Sequence, residues 1–439
     1  MPDLDLAASS DHDVRGVSVN HICTKLVAAV SAAGLSPDEA SMSQIDGLIR
    51  TRGSSTRCPR DGQMGCAYVD AIGADSGSAR YIVSYAAADT VGTIQNALST
   101  YCDRHGLDPS STHVWLRGLC VNHHRTDPTQ ETNEERVGVP SVIPKLRTEL
   151  ERRLHTIGHL LVLMTPITDP RSIKTAESLF EIFVTVDLQR RGSSCKLEVM
   201  MVAVEDQEFH AQLHTHMNML ALALDRVDME HSEASPTFDK PSMLLTSGLV
   251  EGYDYVNRIV VEGLGTWLAQ QGQCALDLLP VAHRTFSPLL ASVVRLLHAV
   301  GKLAEAELLC REQVVSFRDA HGNTHGDTLD AIASLSAILQ TQKKYGEAET
   351  LAREVLVCRR AKLGDRHLDT LHSIGALGSV LRDQGKLDDA LKLYREQLEG
   401  YRATLGNRDP ETLAAIHCLA GLLQEAQVKL DSTHPCTIC

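Results

Sequence analysis

The sequence predicts two folds in succession, an α/β domain built on a parallel sheet and then an all-α solenoid of stacked helical hairpins. Three observations carry this expectation. The last third of the chain repeats itself at a fixed interval of 42 residues. Residues 79–207 alternate short, β-rich apolar runs with helical stretches. The composition, 43% hydrophobic and 22% charged, is that of a chain able to bury a core in each part.

Residues 1–78 alternate weak helical patterns with Gly- and Ser-rich punctuation and read as a poorly ordered or weakly helical N-terminal region. Helices are expected at Val17–Ala33 and at Pro37–Ile49, the second opening on a proline that suits a first turn. Arg52–Ser78, rich in Gly, Ser and Arg, reads as a loop or linker with no assigned function.

The sheet domain is expected over 79–207. Its strands are Tyr81–Tyr85, His113–Leu116, His159–Met164 and Lys196–Val202, with helices at Val91–His105, Val142–Leu154 and Ile173–Leu188 between them. Strands alternating with helices imply a parallel sheet covered on both faces, whose ligands bind at the carboxyl ends of the strands. Residues 208–284 read as a helical connector, broken by a polar stretch from Ser232 to Ser242.

The repeats occupy 285–425. Gly301-Lys302-Leu303-Ala304-Glu305-Ala306 recurs as Lys343-Lys344-Tyr345-Gly346-Glu347-Ala348 and as Gly385-Lys386-Leu387-Asp388-Asp389-Ala390, each shifted by 42. Arg318/Arg360/Arg402, Gly322/Gly364/Gly406 and Thr328/Thr370/Thr412 keep the same register. Self-similarity of this length means stacked hairpins, because one hairpin alone cannot bury its apolar face. The small Ala at the start of each second helix allows a close helix crossing.

The motifs G-K-x-x-x-A-E and R-R-x-x-L-G-x-x-H-x-D-T-L resemble the tetratricopeptide repeats of kinesin light chains and of nephrocystin-like proteins. That resemblance implies a solenoid that holds a protein or peptide partner. In such repeats an Asn pair on each first helix grips the partner's backbone. Here those positions are Ala333-Ser334, Gly375-Ala376 and His417-Cys418, so the groove positions are Ser334, Ala376 and Cys418 and the Asn clamp is missing. A reading as cargo adaptor for a microtubule motor rests on the repeats alone, since no sustained heptads precede them.

Ser84-Tyr85-Ala86-Ala87-Ala88-Asp89-Thr90 resembles the S-[FY]-x-x-x-D-[ST] element of Toll/interleukin receptor-type (TIR) domains. Leu163-Met164-Thr165-Pro166, followed by Glu177-Ser178-Leu179-Phe180-Glu181-Ile182, is similar to the strand and W-C-x-x-E-[IL] helix of the same family. Trp115 through His123 resembles the W-I-D-x-x-C-x-N-Q motif of the related fungal heterokaryon-incompatibility domains. The resemblance implies a flavodoxin-like sheet, self-association through it, and ligand contacts at Ser84, Asp89, Trp115 and Asn122. In TIR domains that cleave NAD the motif Glu is catalytic, and it falls on Glu181. A carboxylate there would stabilise the oxocarbenium-like ribose formed as the nicotinamide bond breaks. Two departures stand against this: Glu177 and Ser178 replace the Trp and Cys, and Arg117 replaces the Asp of W-I-D. The alternatives are a solvated helix carboxylate at Glu181 and a non-enzymatic adaptor sheet. No cofactor is required, and NAD enters only as a candidate substrate.

A net charge of −14 disfavours nucleic acid and anionic membranes as main partners. No apolar run of 18 residues appears, and the acidic start at Asp3 and Asp5 is unlike a signal peptide, so a cytoplasmic location is expected. The 12 cysteines read mostly as packed, reduced thiols. Cys436-Thr437-Ile438-Cys439 has the outline of a prenylation box at Cys436, within a tail (426–439) read as disordered. His210, His214 and His216 put two imidazoles on one helical face without a third ligand, and no metal site is expected. Walker A, G-x-G-x-x-G and G-x-S-x-G elements are absent from the sequence. The expected function is a cytosolic signalling or scaffold protein coupling a TIR-like module to a partner-binding solenoid, with an NAD(P) glycohydrolase regulated by the solenoid as the alternative.

Overall fold

A computed structural model of the chain describes residues 14–124, 142–234, 240 and 252–433. The chain divides into two compact units, residues 1–271 and 272–439. The prenylation reading at Cys436 lies outside the described residues.

The first unit is built on a six-stranded sheet of β1 (Arg15–Ser18), β2 (Ser76–Ser78), β3 (Tyr81–Ser84), β4 (His113–Leu116), β5 (His159–Leu163) and β6 (Lys196–Met200). Its spatial order is β2-β1-β4-β3-β5-β6. Strands β3 to β6 pair parallel, whereas β1 runs antiparallel to both β2 and β4. The sheet is therefore mixed, which corrects the expectation of a purely parallel one. It also recruits residues before 79, so the sheet begins well inside the region read as an unstructured or weakly helical leader. These strands are three and four residues long and pair glycine with glycine, Gly16 with Gly77, so they carry no β-rich signature. Gly16 is required by packing: a Cβ there would stand 2.6 Å from the carbonyl oxygen of Val114.

The expected helix at Val17–Ala33 starts two residues late, because Val17 and Ser18 belong to β1. Ser18 then caps the following turn by accepting the His21 N–H. The expected helix at Pro37–Ile49 is displaced to α1 (Asp46–Ser54). Residues 37–40 instead serve α2 (Val91–His105), whose first N–H groups at Val91 and Gly92 donate to the carbonyls of Ala40 and Pro37. Helix α2 ends on Gly106 in the left-handed conformation.

Two further helices flank the sheet, α3 (Val142–Ile157) and α4 (Ala176–Arg190). Helix α4 is buried around almost its whole circumference from Ala176 to Val186. It lies among other elements of the fold, including α7 (Gly252–Asp277), where Gly263 packs against Val186. Between them run α5 (Ala203–Ala211) and α6 (Leu213–Leu224).

In the second unit, helices α8 (Pro288–Ala299), α9 (Leu303–His321), α10 (Gly326–Thr341), α11 (Tyr345–Leu363), α12 (Leu368–Asp383), α13 (Leu387–Thr404) and α14 (Pro410–Thr433) stack in sequence. The described part of this unit is an all-helical tetratricopeptide-type solenoid. Ala306, Ala348 and Ala390 are each fully buried, as their role at the helix crossing requires. Gly322, Gly364 and Gly406 turn the chain at φ between 85° and 86°. At the other turn the repeating residues are Gly301, Lys343 and Gly385, and Lys343 adopts φ 63° without the freedom of glycine. Neighbouring repeats are tied by a recurring ladder: Arg318 to Glu354 and Arg360 to Glu396, Lys344 to Glu307 and Lys386 to Glu349.

Candidate functional site

The carboxyl ends of β3, β4 and β5 carry most of the residues singled out in the sheet domain. Ser84 closes β3 and is wholly buried, its Oγ without a hydrogen-bond partner among the described residues. Asp89, 1% exposed, folds back on the loop: its Oδ2 accepts the Ala86 N–H at 2.8 Å, and its Oδ1 accepts from Arg171 at 3.3 Å. Burial raises the Asp89 pKa, and those two donors oppose the rise. Asp89 thus builds the β3–α2 turn.

Glu181 is 5% exposed, so the reading of a solvated helix residue is corrected by its position on the buried helix α4. Its Oε1 accepts from the Arg117 guanidinium, which reaches across from the short helix Arg117–Cys120 after β4. Its Oε2 is buried and without a hydrogen-bond partner among the described residues. Burial works against the Arg117 charge, but the Glu181 carboxylate outweighs it and holds the arginine above its usual pKa. Beside this pair, Tyr85 accepts the Gly118 N–H at 3.0 Å, and burial pushes its phenol up to about 12. The residue at which the sequence departs from the W-I-D motif is therefore the partner of the residue proposed as catalytic. Spacing could not reveal this, because the two are 64 positions apart.

Trp115 and Asn122 do not join that group through any described contact. Trp115 is buried, with the Arg153 guanidinium 4.5 Å from its ring centroid. Asn122 holds loops together, donating to the Gly65 carbonyl at 3.2 Å and accepting the His124 N–H at 3.1 Å. His210, His214 and His216 do not converge: the ring of His210 bonds the Asp206 carbonyl at 2.7 Å, that of His216 the Gln212 carbonyl at 3.2 Å, and that of His214 meets Asn218.

A second arrangement escaped the sequence reading. His21 is buried, with Nδ1 3.0 Å from Asp75 and Nε2 3.0 Å from the Tyr68 hydroxyl. Lys25 also reaches Asp75, at 2.5 Å. The array borders a cavity of about 520 Å³ that Leu48, Thr51 and Arg52 also line. Burial lowers the His21 pKa, with Asp75 opposing, and burial raises that of Tyr68. His21 and Lys25 come from the expected helix at Val17–Ala33, and Tyr68 and Asp75 from the stretch that reads as a linker, so the sequence holds no local signal of the array.

On the solenoid, Ser334, Ala376 and Cys418 are all exposed on the first helix of their repeats. Ser334 bonds its own helix, donating to the Asp330 carbonyl at 2.9 Å. In the middle repeat the space beside Gly375 is filled by Gln397. A Cβ at Gly375 would stand 2.2 Å from Nε2 of Gln397, which occupies that space to donate to the Leu371 carbonyl at 3.1 Å. Arg359 crosses the same face, binding Asp330, the Ser373 hydroxyl at 2.8 Å and the Asp369 carbonyl at 3.2 Å. Nearby, Gln340 donates to Ser379 and Asp383, and His372 lies 3.7 Å from Glu411. The face is polar, with small side chains at its periodic positions. Among the described residues, no helix is long and apolar enough to cross a membrane.

The tetratricopeptide repeat family profile matches residues 337–403. No curated protein matches the chain. Among solved structures, a Podosopora anserina kinesin light chain candidate with nearly identical TPR-like repeats is 22% identical. Its alignment covers 39% of this chain and 88% of that one, at a TM-score of 0.31. BtubC (BKLC) of P. vanneervenii is 14% identical over 57% of this chain and 83% of its own, at a TM-score of 0.32.

Proposed function

We propose that this chain is a protein-binding scaffold in which the solenoid takes a polar peptide segment of a partner and the sheet unit acts as a TIR-like signalling adaptor. The observation that carries this reading is the exposed, periodic stripe of Ser334, Ala376 and Cys418 on successive first helices. Stacked repeats give such a stripe a continuous surface, and small side chains leave room for a partner's backbone. Without Asn side chains at these positions, the grip would come from exposed groups such as His372 and Asp383 around the stripe. For the sheet unit, the four parallel strands in the order β4-β3-β5-β6 support a flavodoxin-like reading, with its topological switch between β3 and β5. The motor cargo-adaptor role is the more specific form of the scaffold reading and rests on the repeats alone.

The test uses the full chain as bait, with a Ser334→Arg/Ala376→Arg double variant beside it. Loss of the captured partner from the variant, with an unchanged circular dichroism melt, is the expected result. Equal capture by both forms contradicts the assignment of this face.

A second reading, NAD(P) glycohydrolase, is favoured by one observation: Glu181 is a buried carboxylate with one oxygen unbonded near the carboxyl edge of the sheet. Its ion pair with Arg117 argues against it, because a charge held by a guanidinium is less available to a developing oxocarbenium ion. Incubation with NAD, comparing the wild type with Glu181→Gln, decides the matter. Equal nicotinamide release from both, or none, removes this reading.

A further inference from the structure

The loop between α9 and α10 brings together three metal-ligating side chains that the scaffold reading does not use. One ligand atom each from His321, His325 and Asp327 lie within 4.8 Å of one another, and all three residues are exposed. Two imidazoles and a carboxylate, with further positions open to solvent, are the donor set of open zinc sites. In a tetrahedral site such atoms stand about 3.3 Å apart, so small rotations of exposed side chains close the set.

The repeat supplies an internal comparison. At 42-residue spacing, His325 and Asp327 correspond to His367 and Asp369, and the two pairs have nearly the same geometry, 3.6 Å and 3.5 Å between Nδ1 and carboxylate. His325 and His367 cap α10 and α12 in the same way, each accepting the N–H of the aspartate that follows. The third ligand differs: the counterparts of His321 are Leu363 and Leu405. Capping therefore accounts for the histidine–aspartate pair in both repeats but not for His321. That residue is held over the pair by rings: its centroid lies 5.8 Å from Phe317, 5.7 Å from Phe286 and 4.6 Å from His325.

We propose that His321, His325 and Asp327 bind one divalent transition-metal ion of the zinc class, joining the last turn of α9 to the first turn of α10. The ion competes with the cap, because a metal-bound neutral imidazole cannot also accept the Asp327 N–H. The remaining coordination positions face solvent, where water or a partner's side chain completes them.

The test is equilibrium dialysis of the full chain against a zinc salt alone, with elemental analysis of bound metal. His321→Leu installs the residue of the next repeat, and Leu363→His gives that repeat the missing ligand. The expected result is one bound equivalent fewer for His321→Leu and one more for Leu363→His, with unchanged melts in the absence of metal. Zinc should also raise the melting temperature of the wild type more than that of His321→Leu. Comparing variants cancels binding to other histidines and thiols of the chain. Equal stoichiometry for the wild type and His321→Leu overturns the proposal.

Discussion

The polar contacts of the two units are organised in opposite ways. In the solenoid two kinds of tie recur one repeat on: Arg318 to Glu354 is repeated by Arg360 to Glu396, and Lys344 to Glu307 by Lys386 to Glu349. In the sheet unit the corresponding contacts occur once and join distant segments, as Arg117 joins Glu181 and His21 joins Asp75 and Tyr68. A solenoid that loses one tie keeps its homologue, and the damage stays local. The sheet unit has no second copy. Single substitutions should therefore cost it more, and the expected effects can be ranked on that basis.

The largest is at Arg117. Arg117→Ala leaves Glu181 buried without its counter-charge, and the sheet unit should lose about 2–3 kcal/mol, less than a fully buried pair because Arg117 is partly exposed. Urea unfolding of the full chain measures this, and a loss no greater than that of Arg318→Ala would break the contrast. Next is Gly375→Asn, which restores a family residue but drives its Cβ into Gln397. We expect a cost of about 1–3 kcal/mol, confined to the solenoid transition.

Acid should separate the two units. Glu307 is held down to about 2, first by its bond from Lys344 and also by Arg311, and Glu349 is held to about 2 by Lys386 and Arg353. Folded values below the unfolded ones mean that this stability is present above the ordinary glutamate range and is lost as pH falls towards 2. Each glutamate should contribute about 1–2 kcal/mol once solvent screening is allowed for. In the sheet unit, burial depresses the pKa of His21, so its contribution is present above about 6.5 and is lost as pH falls through its lower folded value. Melts taken from pH 7.5 downward should thus weaken the sheet unit first. Glu307→Gln and Glu349→Gln should flatten only the later, solenoid phase. The smallest effect is favourable: Lys343→Gly, relieving the left-handed turn at φ 63°, should stabilise the solenoid by about 0.5–1 kcal/mol.

This same contrast explains what could be read from the chain. The 42-residue register exposed the solenoid because Ala306, Ala348 and Ala390 restate one packing problem three times, and the helices run where the motifs place them. The strands β3 to β6 and helix α2 were legible because apolar runs and capping residues act locally. Strands β1 and β2 were not, since Gly16 is set by close approach to the Val114 backbone and Gly77 lies against the His113 ring, neither chosen by β propensity. At the carboxyl edge the sequence drew attention to Glu181 but could not pair it with Arg117. The array of Asp75, His21 and Tyr68 lay hidden for the same reason, its contacts spanning 47 and 54 positions.

The most direct test of the central claim, that the solenoid's first-helix face is the recognition surface, is hydrogen–deuterium exchange of the full chain with and without its captured partner. Protection should concentrate on α10 and α12, around Ser334 and Ala376, and extend to the segment of α14 that carries Cys418. Protection confined to residues 15–200, with these helices exchanging as in the free chain, would contradict it.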